Sequence, residues 1–272
     1  MKKPLFLLIA TAALIFSSCS SKSEPFYTMY GSLENFMSVS YTIGPRGETY
    51  EIGPGSTYPF PAVPEGLDRS RFLFGFNLVD ESSNIATDKN IPIKLSYYEI
   101  LPTQTPEIVG SVDYNDPILV LNGQPDRIYT DLAGAPSGIT TMQNYLDMMI
   151  YHYLYTKNKD SGEDFAIPSV TVEVDPEIEE ATGSGNDIIH MYLRFDNNRH
   201  KDENISYQLS YYILSIDVQN MASQYGFPSD ATYTIKMHYK AYADISASDD
   251  DELVEKTVTV DWNPSKPYAS SN

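Results

Sequence analysis

The stretch that decides the fold of this chain is Arg71-Phe72-Leu73-Phe74-Gly75-Phe76-Asn77-Leu78. It is apolar nearly throughout, which is typical of a β-strand that is covered on both faces. Three prolines precede it, at positions 59, 61 and 64, and they keep that stretch out of any central strand. The sequence around residues 71–78 therefore predicts strands separated by turns.

Further strands are predicted on either side of this stretch. Phe36 to Ile43 is rich in β-forming residues and ends at the turn Gly44-Pro45-Arg46-Gly47. Thr49 to Ile52 and Ile91 to Ile100 are two further strands. Residues 27–102 thus contain four or five strands and no long helix. That size and strand number predict a small OB-type β-barrel.

Apolar and polar residues also alternate through the second half of the chain, residues 115–263. The alternating segments are Met149–Tyr155, Ser169–Val174, Ile189–Phe195, Tyr207–Val218, Ala231–Ala243 and Thr257–Trp262. About seven strands separated by Asn, Asp and Gly loops predict an antiparallel β-sandwich. Only Met142–Met148 and Val218–Tyr225 are candidate helices, and Gly226 would end the second. The predicted fold class is all-β.

A proline- and threonine-rich stretch separates the two predicted domains. Leu101-Pro102-Thr103-Gln104-Thr105-Pro106 breaks both the helical and the strand period, so residues 103–114 are predicted to be a linker. We expect proteolysis there to release two folded pieces. Residues 264–272 form a short tail.

The N-terminus has the features of an export signal. Lys2 and Lys3 precede an apolar run, Leu5 to Phe16, which is too short to span a bilayer. Ser17 and Ser18 then come directly before Cys19. Phe16-Ser17-Ser18-Cys19 resembles a lipobox, so residues 1–18 are predicted to be a lipoprotein signal peptide and Cys19 the lipid-attachment residue, with palmitate as an acyl chain. The alternative is an ordinary signal peptide that is cut near Ser18.

Composition limits the partners of the exported protein. Cys19 is the single cysteine, so no internal disulfide can form, and residues 19–26 are a polar tether. Removal of Lys2 and Lys3 with the signal moves the net charge from −19 to −21. A chain this acidic repels phosphate backbones, which excludes nucleic acid as a partner. We expect the partners to be the membrane, through the lipid, and a protein or glycan.

Several short motifs are similar to those of the NigD-like lipoproteins of Bacteroidetes. They are Asp68–Phe76, Ile91–Leu95, Ile100–Thr103, Asn115–Ile118, Asn144–Asp147 and Leu193–Asn197, where Phe195 replaces the histidine of the family. The resemblance implies an N-terminal OB-type domain, a C-terminal β-sandwich and attachment to the outer membrane, without deciding the leaflet. It implies no activity and no catalytic residue.

No catalytic motif is recognisable. Gly134-Ala135-Pro136-Ser137-Gly138 places its serine one position late for a nucleophile elbow and lies in a predicted loop. No glycine-rich phosphate-binding loop occurs, so no cofactor is predicted. The expectation is a protein that is not an enzyme.

Metal-binding spacing is also absent among the four histidines, His152, His190, His200 and His238. We expect the three in strands to lie on exposed sheet faces. Two acidic clusters offer oxygen ligands for calcium: Asp196-Asn197-Asn198 with Asp202-Glu203, and Asp249-Asp250-Asp251-Glu252. Neither has the spacing of a dedicated calcium loop, and a solvated hairpin gives the same pattern. No metal site is predicted.

The 22 tyrosines are the most informative candidates for a binding surface. Tyr151, Tyr153 and Tyr155 fall on one face of a strand, and Tyr97-Tyr98 and Tyr211-Tyr212 are pairs. They can fill a core or present rings to a sugar or a protein. The predicted function is non-enzymatic binding or assembly at the outer membrane surface. The alternative is a glycan-binding accessory lipoprotein of a polysaccharide-uptake system, and a glycoside hydrolase would need two convergent acids in a cleft.

Overall fold

The described part of the chain folds mostly as β-structure, which confirms the predicted all-β class at this coarser level. The computed structural model describes residues 26–36, 39–43, 47–53, 71–122, 140–142, 144–156, 168–197, 206–243 and 253–266. Within these ranges there are fifteen strands and one short helix. No helix among the described residues has the length and apolar character needed to cross a bilayer.

Five strands near the N-terminus pair in a ring. They are β1 (Phe26–Phe36), β2 (Val39–Ile43), β3 (Thr49–Ile52), β4 (Arg71–Leu78) and β5 (Asn90–Ile100). The order is β1-β2-β3-β5-β4, and β4 pairs back to β1, so the strands form a closed barrel. The β3–β5 pair is parallel and the other pairs are antiparallel. Most of β1 was not predicted, because the first strand predicted from the sequence begins at Phe36.

The aromatic stretch of β4 is buried on both faces, as the sequence predicted. Phe72, Phe74 and Phe76 lie in the barrel core, together with apolar side chains from β5 such as Ile93. Leu73, on the other face, lies in a second cluster that is shared with the C-terminal half. β4 therefore belongs to the barrel and to the junction between the two halves.

The second half contains two five-stranded sheets. The first sheet consists of β6 (Thr103–Gln104), β8 (Val120–Asn122), β9 (Thr140–Met142), β10 (Tyr145–Thr156) and β13 (Ser206–Asp217). The second sheet consists of β7 (Glu107–Ile108), β11 (Ser169–Val174), β12 (Asp187–Asp196), β14 (Tyr233–Tyr242) and β15 (Leu253–Trp262). Their orders are β6-β13-β10-β8, with β9 on β10, and β15-β14-β12-β11-β7.

The two sheets share one core to which both contribute alternate residues. Ile150 and Leu214 come from the first sheet, and Val172, Met191 and Ile235 from the second. The predicted alternation in these strands is thus confirmed. The prediction of purely antiparallel sheets is wrong, because β12 and β14 are parallel. The chain crosses from β12 to β13 in the first sheet and returns to β14, and such a crossover makes neighbouring strands parallel.

One of the two candidate helices forms. Helix α1 (Val218–Tyr225) is capped by the Asp217 side chain and ends at Gly226, whose φ of 76° is left-handed and favours glycine. The other candidate, Met142–Met148, is wrong, since Met142 ends β9 and Tyr145 to Met148 begin β10. Leu146 and Met148 face the core between the sheets while Met149 faces the barrel, so packing on both faces selects an extended strand.

The predicted linker, residues 103–114, takes part in both sheets. β6 pairs in parallel with β13, and β7 pairs in parallel with β11. Pro102 and Pro106 keep these strands to two residues each, because proline interrupts a ladder. Leu101, directly before this stretch, is 3% exposed and lies in the cluster shared by the two halves. The stretch is therefore a structural connection.

Candidate functional site

The barrel packs its outer face against the outer face of the first sheet. Tyr30 and Leu73 from the barrel lie in one buried cluster with Met149, Tyr151 and Ile213 from the sheet. In β10 and β13, these sheet residues alternate with residues that face the other sheet. The first sheet is therefore covered on both sides over part of its length.

A buried ion pair closes one end of this junction. The Arg71 guanidinium donates from Nε to Asp147 Oδ1 at 3.1 Å and from Nη2 to Asp147 Oδ2 at 2.5 Å. Both side chains are 0% exposed. Ser215 donates to Asp147 Oδ1 at 2.7 Å, and Arg71 Nη1 donates to Ser32 Oγ at 3.2 Å. The bidentate geometry and the hydrogen bonds of the two serines compensate for the loss of hydration of the two charges.

Aromatic side chains form the opposite, open end. The Tyr97 ring lies over Gly75, where an added Cβ would stand 2.1 Å from Tyr97 Cε1 and 2.7 Å from Phe26 Cζ. Phe26 stacks on Tyr97 with ring centroids 6.0 Å apart, and it is 52% exposed. Gly75 is thus the residue that lets two aromatic rings lie flat on the barrel wall.

The first sheet contributes the facing aromatic side chains. Tyr211 lies opposite Tyr151 in the ladder, with ring centroids 6.1 Å apart. Tyr153 packs edge-on against Tyr242 at 6.0 Å. Leu209, opposite Tyr153 in the ladder, is 45% exposed. We call the set Phe26, Tyr97, Glu99, Tyr153, Leu209 and Tyr211 the junction surface.

Burial shifts the ionisable groups of the junction surface towards their neutral forms. Burial, followed by the neighbouring Tyr211 and Glu99, raises the pKa of Tyr97 to about 12. Burial, followed by Glu99 and Tyr151, raises the pKa of Tyr211. Burial alone raises the pKa of the Glu99 carboxyl. The tyrosine hydroxyls therefore keep their protons at neutral pH and remain hydrogen-bond donors beside a single carboxyl group.

The Tyr30 hydroxyl lies deeper in the junction. The residue is 2% exposed, and its hydroxyl has no hydrogen-bond partner among the described residues. Burial raises its pKa well above the usual value, and Asp147, Tyr151 and Glu99 act in the same direction, while Arg71 opposes them. A buried hydroxyl without a partner costs free energy, so Tyr30 reduces the stability of the junction.

The structure brings together tyrosines that the sequence singled out only as separate groups. Tyr97, Tyr151 and Tyr211 meet at the junction, while Tyr98 packs in the barrel core and Tyr212 against the core between the sheets. The Tyr155 side chain, Cys19, residues 134–138, His200, and the clusters at 198–203 and 249–252 lie outside the described residues. Sequence reasoning missed Phe26, Glu99 and the Arg71–Asp147 pair, because their roles depend on contacts between distant strands.

The histidine prediction was partly wrong. His152 is 2% exposed, packs against Phe195 with ring centroids 4.9 Å apart, and has its pKa lowered by burial. It is buried because it shares its strand face with Ile150, which points into the core between the sheets. His190 and His238 are partly exposed on the second sheet. Among the residues that the structure describes, no three His, Cys, Asp or Glu side chains form a group suited to a metal ion.

The fold of this chain is similar to that of solved structures. A Bacteroides fragilis structure described as a "putative lipoprotein" matches with a TM-score of 0.53 and 14% identity, over 89% of this chain and 100% of that chain. A Bacteroides caccae structure described as a NigD-like immunity protein matches with a TM-score of 0.51 and 16% identity, over 90% and 99%. No family model and no curated protein matches this chain. The structural resemblance to NigD-like proteins is thus confirmed at the level of the fold.

Proposed function

We propose that this protein is a non-enzymatic lipoprotein that acts in binding or assembly at the outer membrane surface, and that the junction surface is its binding site. The observation that carries the proposal is the partly exposed aromatic group of Phe26, Tyr97 and Tyr211, with the Glu99 carboxyl group beside it. Aromatic residues with a polar handle are enriched in binding surfaces because they bury a large area at a small cost in conformational entropy.

The position of Phe26 connects this surface with the membrane. Phe26 begins β1 and lies in the junction surface. If Cys19 carries the lipid, residues 19–26 place Phe26 at most about 25 Å from the anchor. The fold likeness to a protein described as a lipoprotein supports this arrangement. The junction surface would then lie close to the outer membrane.

The finer fold assignment is part of the same proposal. The strand order β1-β2-β3-β5-β4, with one parallel pair, supports an OB-type barrel for residues 27–102. The shared core between the two five-stranded sheets supports a β-sandwich for residues 115–263. Because Leu101 and Tyr151 belong to a single buried cluster, we now expect the two domains to unfold together, in place of the two independently folded pieces expected from the sequence.

A glycan-binding role in polysaccharide uptake is the second candidate. Tyrosine hydroxyls that remain protonated, tyrosine rings and the Glu99 carboxyl group together offer apolar faces and hydrogen bonds, which a sugar requires. The test is binding of the mature protein to a panel of neutral and acidic polysaccharides. Tyr211→Ala should abolish any glycan affinity, whereas the control Tyr192→Ala, on the second sheet, should retain it. Affinity that is unchanged in Tyr211→Ala would exclude the junction surface as the glycan site.

Photo-crosslinking in cells tests whether a partner protein binds at the junction surface. Leu209 in the junction surface and Ile108 in β7, the edge strand of the second sheet, are 45% and 55% exposed, so photoreactive residues at these two positions can be compared. We expect discrete crosslinked products from position 209 and none from position 108. Crosslinking only from position 108 would move the binding site to that edge of the second sheet.

A further inference from the structure

His190 and His238 form a hydrogen-bonded pair on the outer face of the second sheet. They extend from the parallel neighbours β12 and β14, on the face opposite the buried Ile189 and Met237. His190 Nδ1 lies 2.8 Å from His238 Nε2. The ring planes differ by 15°, and the 5.1 Å between the centroids exceeds the nitrogen–nitrogen distance by about two ring radii. The rings therefore lie edge to edge, with one nitrogen of each directed at the other.

The other nitrogen of each ring also has a partner. His190 Nε2 lies 2.7 Å from Glu179 Oε2, and His238 Nδ1 lies 3.0 Å from Thr257 Oγ1. Tyr192 lies beside His238, with ring centroids 5.0 Å apart. These contacts make a continuous chain of hydrogen bonds from Glu179 to Thr257. Both imidazoles are fixed at two points, which orients the facing nitrogens.

The donors and acceptors of this series of hydrogen bonds can all be paired in two ways, which differ in the direction of donation. With both rings neutral, Thr257 donates to His238 Nδ1, His238 Nε2 donates to His190 Nδ1, and His190 Nε2 donates to Glu179. After one proton is added, His190 donates from both nitrogens, and His238 accepts at Nε2 and donates from Nδ1 to Thr257. A second proton would place two N–H groups against each other at 2.8 Å. The pair therefore accommodates one proton and resists a second.

We propose that His190 and His238 form a proton-sensing site that binds a single shared proton. The bound proton strengthens the contact between β12 and the turn that connects β11 to β12. The proton completes an ion pair between the His190 imidazolium and the Glu179 carboxylate. Glu179 belongs to that turn and exchanges two backbone hydrogen bonds with Ile188, at 3.0 and 2.9 Å. Protonation of the pair thus acts directly on the segment that Glu179 holds against β12.

The surrounding charges agree with one proton placed on His190. Burial, followed by His190 and Lys236, lowers the pKa of His238, while Glu255 works in the opposite direction. Hydrogen bonding from His190, followed by the charge of Lys236, lowers the pKa of Glu179. Arg194, further along β12, forms an ion pair with Glu173, in which Arg194 Nε lies 2.8 Å from Glu173 Oε2. Glu179 therefore stays ionised, and His238 is the member of the pair that resists the proton.

The test is an NMR titration of the imidazole nitrogens in the mature protein between pH 8 and pH 4.5. We expect the signals of His190 and His238 to move together with one common midpoint for the first proton. The second proton should follow at least about one pH unit lower, as in strongly coupled sites. In His238→Gln, His190 should titrate as a single group in one step. Independent titration of both histidines, with His190 unchanged in His238→Gln, would overturn the proposal.

Two matched variants test the role of the turn. Glu179→Gln removes the carboxylate that faces His190, so it should lower the midpoint for the first proton. Glu180→Gln makes the same charge change one residue away on an exposed side chain, and it should have a smaller effect. The protection factors of the Glu179 and Ile188 amides, which correct for the intrinsic pH dependence of exchange, should rise several-fold below the first midpoint in the wild type and in Glu180→Gln but not in Glu179→Gln. Equal midpoints and equal exchange in the two variants would refute the coupling.

Discussion

The Arg71–Asp147 pair should stabilise the junction in a way that a double-mutant cycle can measure. Both side chains are 0% exposed and lie 76 residues apart in the chain, so the pair connects the barrel to the first sheet. Arg71→Met leaves the Asp147 carboxylate buried without its counter-charge, and Asp147→Leu leaves the guanidinium in the same position. Each single change should reduce the free energy of unfolding by about 3–5 kcal/mol, which is the usual cost of breaking a buried ion pair.

The double variant Arg71→Met/Asp147→Leu should be less destabilised than either single variant, because it leaves no buried charge uncompensated. The assay is denaturant unfolding with two probes. Trp262, the single tryptophan, reports on the C-terminal half, and circular dichroism reports on all the strands. The two transitions should coincide in the wild type and separate in the single variants. A double variant whose loss equals the sum of the single losses would refute the pairing argument.

Three further predictions concern lipid attachment at Cys19, the contact between Gly75 and Tyr97, and hydrolytic activity. Cys19→Ser should move the protein from the membrane fraction to the soluble fraction, whereas Ser20→Ala should not, and an unmodified mature N-terminus in the wild type would contradict lipidation. Gly75→Ala should destabilise the fold by about 1–3 kcal/mol, because its Cβ would stand 2.1 Å from the Tyr97 ring. The double variant Gly75→Ala/Tyr97→Ala should recover part of that loss, and no recovery would count against the contact. The purified mature protein should hydrolyse no glycoside, ester or peptide above background, and turnover lost on mutation of a single Asp or Glu would contradict this.

The sequence predicts strands well where one period runs without interruption. Residues 187–196 alternate between buried and partly exposed positions, and this strand forms as predicted. Most of β1 is not predictable from the sequence, because Gly31, Ser32 and Glu34 interrupt its apolar pattern. The apolar run around Met148 fitted a helix as well as a strand, and only the packing of both its faces decides between them.

The candidate site could be predicted only in part, for a reason of geometry. Tyr97 and Tyr211 are visible as members of tyrosine pairs, but their meeting depends on how the barrel lies on the first sheet. Glu99 is one of 37 acidic residues, and its place beside Tyr97 and Tyr211 is visible only in the folded chain. The crossover that makes β12 and β14 parallel, and so brings His190 to His238, leaves no local signature.

The claim that the junction surface is the binding site is tested most directly by the crosslinking comparison in cells that carry the lipid-anchored protein. Leu209 and Ile108 are aliphatic residues of comparable exposure, one in the junction surface and one in the edge strand β7 of the second sheet. We predict crosslinked products from position 209 that disappear in the Tyr97→Ala/Tyr211→Ala background, and none from position 108. Products from position 209 that persist in that background, or products from position 108 alone, would contradict this claim.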